Sequence, residues 1–168
     1  MNKPKINSEI KNNLFSPSPE VVISAIQKIK DKGNKEYLPM LFELLLAGPE
    51  MEVRKEILKL LGTIKDKETI PAYIEALQNV KFKEVKKEIL TTCWQNGLDF
   101  SEYLDVFVDI VIDCDWEIAF EAFTVIENQN YFPPEEELRN IKLKIAGVLK
   151  TADEQKRYFL EEILKMSR

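Results

Sequence analysis

Histidine is absent from these 168 residues, and cysteine occurs only twice. The first absence removes the commonest general base and the commonest metal ligand together. Cys93 and Cys114 form no CxxC, so neither a zinc half-site nor a thioredoxin-type pair is encoded. Glycine is scarce, at five residues, and none belongs to a phosphate-cradling loop or a nucleophile elbow. Basic charge is in deficit: 24 Lys and Arg face 29 Asp and Glu, for a net charge of −5. That balance opposes general nucleic-acid binding, which needs clustered bases to neutralise phosphates. Long apolar runs are missing too. "LFELLLAG" falls far short of the ~18 residues of a membrane span, and the opening "MNKPKINSEI" lacks the apolar core of a signal peptide. The reading is a cytoplasmic chain with free thiols, no catalytic residues, no metal, no cofactor, and neither nucleic acid nor membrane as partner.

What is present is a repeat. Glu-Val or Glu-Ile recurs at Glu20-Val21, Glu52-Val53, Glu84-Val85 and Glu117-Ile118, in steps of 32, 32 and 33 residues. Four, five and eight positions after each aliphatic residue come Ala25, Ile26 and Ile29, then Ile57, Leu58 and Leu61. The third and fourth copies give Ile89, Leu90 and Cys93, then Ala122, Phe123 and Ile126. This spacing is one apolar stripe of a helix. A second stripe follows in each of the first three copies: Leu38, Leu41, Phe42 and Leu45, matched by Ile70, Tyr73, Ile74 and Leu77, then by Tyr103, Val106, Phe107 and Ile110. Each copy therefore predicts a helical hairpin, which cannot bury its face alone and must stack on its neighbours.

The punctuation fits that reading. Ser18-Pro19-Glu20 reads as an N-cap, a proline at the first helical position and an acid in the first turn. Gly33 and Gly97 stand where a glycine would end a first helix, and Pro39 and Pro71 stand near the start of a second. The fourth copy has a longer loop, "NQNYFPPEEE", and a second helix from about Glu135 to Lys150. Thr151 to Glu154 reads as a capping box opening a last helix, and Ile6, Ile10 and Leu14 predict a short leading one. The expected layout is a single domain, 1–168: an N-terminal cap helix in 1–17, repeats at 18–48, 49–80, 81–113 and 114–150, and a C-terminal cap helix in 151–168.

The second repeat, with Val53-Arg54, Leu60-Leu61-Gly62, Asp66, Pro71 and Ile74 through Leu77, resembles a HEAT repeat of the short bacterial kind also found in phycobilisome lyase-like proteins. The resemblance covers about residues 18 to 150 and is close only in this repeat. It implies an all-α fold, an α-solenoid of about four hairpins with a capping helix at each end. It also implies a scaffold that binds another protein, with Arg54 and Asp66 linking adjacent repeats. First helices would form the convex wall and second helices the concave one.

Charge divides along those walls. The three first helices carry net charges of +1, +1 and +2, whereas the second helices become steadily more acidic. The third, Asp99 to Asp113, holds Asp99, Glu102, Asp105, Asp109 and Asp113 and no base. Asp105, Asp109 and Asp113 recur every four residues and so share one helix face. The candidate partner-binding residues are these three with Glu43 and Glu75, the apolar Met40, Leu44, Val108 and Ile112, and the loop-flanking Trp116. Together they predict an acidic groove for a basic or amphipathic segment. A bilin lyase-like enzyme and an end-to-end self-associating module are the alternatives, with a monomer expected otherwise.

Overall fold

The computed structural model describes residues 6–32 and 35–166. Within them lie ten α-helices and no strand. They fall into two compact units, Met1–Asn96 and Gly97–Arg168.

The first unit holds α1 (Ser8–Leu14), α2 (Pro19–Lys32), α3 (Leu38–Leu46), α4 (Met51–Leu61), α5 (Ile70–Gln78) and α6 (Lys86–Asn96). The first helices α2, α4 and α6 stack in series, α3 packs on α5, and α1 covers α2. Three-residue 3₁₀ turns, Lys35–Tyr37 and Lys67–Thr69, lead into α3 and α5. Pro39 and Pro71 follow at the first helical positions, where an absent N–H is no loss. Gly48 ends the first hairpin at φ +70°, a conformation that excludes most side chains.

Burial corrects the phase of the first stripe. Val22 is 4% exposed and Val21 36%. Val22 lies three, four and seven residues before Ala25, Ile26 and Ile29, at the centre of their face, while Val21 lies about 100° round the helix. In α4 the buried set is Val53, Ile57, Leu60 and Leu61, with Leu58 only half-buried. Gly33, expected to end α2, lies outside the described residues.

Arg54 links repeats as the resemblance implied. Its Nε donates to Glu88 Oε1 at 2.9 Å, a second guanidinium nitrogen donates to Glu88 Oε2, and a third contact reaches the Leu45 carbonyl at 3.4 Å. Asp66 reaches the preceding repeat only through the pull of its charge on Lys35, and its hydrogen bond is local. Its carboxylate accepts from the Glu68 backbone N–H at 2.9 Å, capping its own 3₁₀ turn. Within the second repeat the buried Tyr73 hydroxyl donates to the Leu61 carbonyl at 2.7 Å, while Lys65 also joins the second and third repeats by donating to the Asn96 carbonyl. Gly62 completes this junction: a Cβ there would stand 2.7 Å from Gln95 Oε1.

The second unit holds α7 (Leu104–Asp113), α8 (Trp116–Glu127), α9 (Glu135–Val148) and α10 (Glu154–Met166). Gly97 opens it at φ +65°. Helix α7 packs against all three others, most extensively against α8. Asp99 repeats the Asp66 device, its carboxylate accepting from the Ser101 N–H at 3.0 Å ahead of another 3₁₀ turn, Ser101–Tyr103. The expected capping box moves by two residues: Asp153, not Thr151, accepts from the Lys156 N–H at 2.9 Å, and Thr151 donates to the Val148 carbonyl at 3.2 Å. The last helix docks by stacking Phe159 on Phe123 with centroids 5.0 Å apart, and by the Lys156 ammonium donating to the Ile112 carbonyl at 2.9 Å.

Candidate functional site

In the first unit the expected groove residues stand on α3 and α5. Glu43 is held by the Lys81 ammonium at 2.5 Å, so its carboxylate is already answered within the chain. Leu44 is buried and Met40 half-buried. The row continues in Ala76, also buried, where the small side chain suits the packing of α5 on α3. Glu75 is exposed and has no cation partner among the described residues.

In the second unit the acidic row of α7 forms as the spacing predicts, but its members are not equivalent. Asp109 is paired with Lys144 of α9 at 2.6 Å, a contact across 35 residues. Asp105 and Asp113, one turn to either side, are exposed and have no cation partner among the described residues. Val108 is 0% exposed and cannot supply the apolar contact expected of it. Packing of α7 against three helices explains this, since only a narrow stripe of α7 is left outside. Ile112 is half-buried, and its carbonyl is taken by Lys156. Trp116 belongs to a different helix, at the first position of α8, where Asp115 is the N-cap through its bond to the Ile118 N–H at 3.2 Å. Among the described residues no group of three His, Cys, Asp or Glu could hold a metal ion.

Beside the acidic row runs a cleft of about 280 Å³ between the start of α7 and α9. Glu102, Asp105 and Glu137 supply its carboxylates, Leu104, Ile141 and Pro133 its apolar wall, and Lys144 closes one side. Three acids thus face one base, and that base is already engaged by Asp109. Sequence reading missed this cleft because α9 enters it from a loop of irregular length. The run Glu135-Glu136-Glu137 at the helix start was the available signal.

Buried titratable groups lie elsewhere. The thiol of Cys93 is pushed far up by burial, and so is the hydroxyl of Tyr73, with the Cys93 thiol adding to the rise and Asn96 opposing it. Both stay neutral in the folded chain and line no cleft described above.

A stack of helical hairpins with its longest acidic row on a second helix defines a helical-repeat protein. HEAT repeats match residues 8–92, just over half the chain, and the chain belongs to the HEAT-repeat family. The matched stretch runs from α1 into α6. No curated protein matches the sequence. HEAT repeats are generally protein-interaction scaffolds, and the family is generally non-catalytic. Among the described residues no helix is long and apolar enough to cross a membrane.

Proposed function

We propose that this chain is a protein-interaction module that takes a basic segment of its partner along α7 and the cleft beside it. The supporting observation is Lys144. It seats an ammonium on Asp109 at 2.6 Å, between two carboxylates, Asp105 and Asp113, that no cation answers among the described residues. Those two lie eight residues apart, about 12 Å along the helix axis. Bases at i and i+8 of a partner helix, or i and i+4 of an extended segment, span the same distance. Leu104, Ile141 and Pro133 offer the aliphatic stems of such side chains an apolar wall.

Exposed ion pairs contribute about 0.2–1 kcal/mol each. Two of them select and steer more than they hold, and the cleft must add apolar contact. A pull-down from an extract of the source cells, at low and moderate salt, tests the reading with an Asp105→Lys/Asp113→Lys variant of unchanged helicity. The expected outcome is a protein captured by the wild type, weakened by salt and lost on charge reversal. A partner retained equally by the variant rules out the α7 row.

A further inference from the structure

Helix α8 has three glutamates and no lysine or arginine. Its outer stripe begins with Trp116 and Phe120, one turn apart and 50% and 46% exposed. On α10, Tyr158 is 58% exposed. Phe159 joins them: its ring stands 6.1 Å from Phe120 and 6.0 Å from Tyr158, edge-on to the latter, while its other contact is the stack on Phe123. Two half-bare aromatic side chains, Phe120 and Tyr158, thus flank one buried ring, and Trp116 stands one turn before Phe120 on α8. Single exposed apolar residues are ordinary, but a joined set of aromatics is the composition of an interface centre.

The surrounding charge says what kind of partner fits. The bases of α10 are hydrogen-bonded within the chain, Lys156 to the Ile112 carbonyl, Arg157 to the Ala152 carbonyl and Lys165 to Glu162, and only the last meets an opposite charge. Glu127, on the stripe of Trp116 and Phe120, has no cation partner among the described residues, nor does Glu154, one turn before Tyr158; Glu161, one turn after it, shares the neighbourhood of Lys165, which Glu162 holds. Carboxylates without an ion pair beside apolar rings suit bases on the partner. We infer that the Trp116–Phe120–Tyr158 face is a docking surface for a basic amphipathic helix of a partner protein. Its apolar side covers the rings and its lysines or arginines reach Glu127, Glu154 and Glu161. This surface is carried by α8 and α10 and does not depend on the role proposed for α7.

The test uses the full chain with Trp94→Phe, leaving Trp116 as the one tryptophan of the two. The probe is an 18-residue Leu/Lys amphipathic helix, with a scrambled Leu/Lys peptide and a Leu/Glu helix as controls. Anisotropy of the labelled peptide gives the same reading on the unsubstituted chain. The expected result is a saturable blue shift of Trp116 with the Leu/Lys helix and binding at least ten-fold weaker for both controls. Phe120→Ser/Tyr158→Ser, and Tyr158→Ser alone in a smaller degree, should weaken binding at least ten-fold and a few-fold respectively, while Asp105→Lys/Asp113→Lys leaves it within two-fold. Absence of a saturable shift, equal binding of the Leu/Glu helix, or undiminished binding by the Ser variants overturns the inference. Loss of binding only on reversal of the α7 charges also overturns it, while leaving the α7 reading intact. Concentration-dependent dimerisation that Phe120→Ser/Tyr158→Ser abolishes would assign the face to a second copy instead.

Discussion

Arg54 and Glu88 bury about two thirds of their side chains, with 32% and 30% left exposed. A forked guanidinium–carboxylate pair in that setting is worth more than an open surface pair, because truncating one side strands the other charge where water reaches it poorly. Arg54→Ala should therefore destabilise the chain by about 1.5–3 kcal/mol in chemical denaturation, and Arg54→Lys should recover only part, having no fork to offer. Cys93 and Tyr73 supply a second residue-scale expectation. Burial raises both, so the folded chain keeps protons that the unfolded chain begins to release at the ordinary cysteine and tyrosine values. The folded state then binds more protons, and stability falls as pH rises from about 9, by up to about 1.4 kcal/mol per pH unit for each group. Denaturation midpoints at pH 8, 9 and 10 should show the decline, and Cys93→Ala should flatten it. A slope unchanged by that substitution would exclude the thiol as its source.

Helix α10 shows how an element's start is decided by geometry that a motif only approximates. Thr151-x-x-Glu154 has the letters of a capping box, but the chain enters the helix at Glu154, which makes Asp153 the last non-helical residue and hence the cap. Asp153→Ala should thus cost about 1 kcal/mol of stability and Thr151→Ala much less, by thermal unfolding of the two variants side by side. The same distinction separates what was legible from what was not. Hairpins, prolines at second-helix starts and the α7 carboxylate row follow from spacing alone, since local periodicity puts those residues on one face whatever surrounds them. Lys144 meeting Asp109, and Val108 vanishing under its neighbours, depend on how distant helices pack, and no local pattern records that. Val22 was legible too: it centres the face of Ala25, Ile26 and Ile29, whereas the repeated Glu-Val pairing draws the stripe to Val21, which lies about 100° away.

For the molecule as a whole, the two compact units meet in the chain between α6 and α7, within one hairpin of the repeat, so repeat boundaries and contact boundaries differ. Repeat arrays draw their stability from intrinsic and nearest-neighbour terms, which lets fragments survive alone. Residues 1–96 expressed by themselves should keep their helicity and unfold cooperatively; a fragment with the circular dichroism of an unfolded chain would show that the first unit needs the second.

Cys114 follows Asp113 at the end of α7 and precedes the cap of α8 by one residue. With Cys93 sealed in the interior, a thiol reagent should titrate one equivalent on the native chain and two after denaturation. The wild-type protein therefore comes with a single addressable labelling position, set in sequence between the acidic row and the aromatic face. A dye or spin label attached there would report occupancy of either surface without a cysteine having to be added or removed.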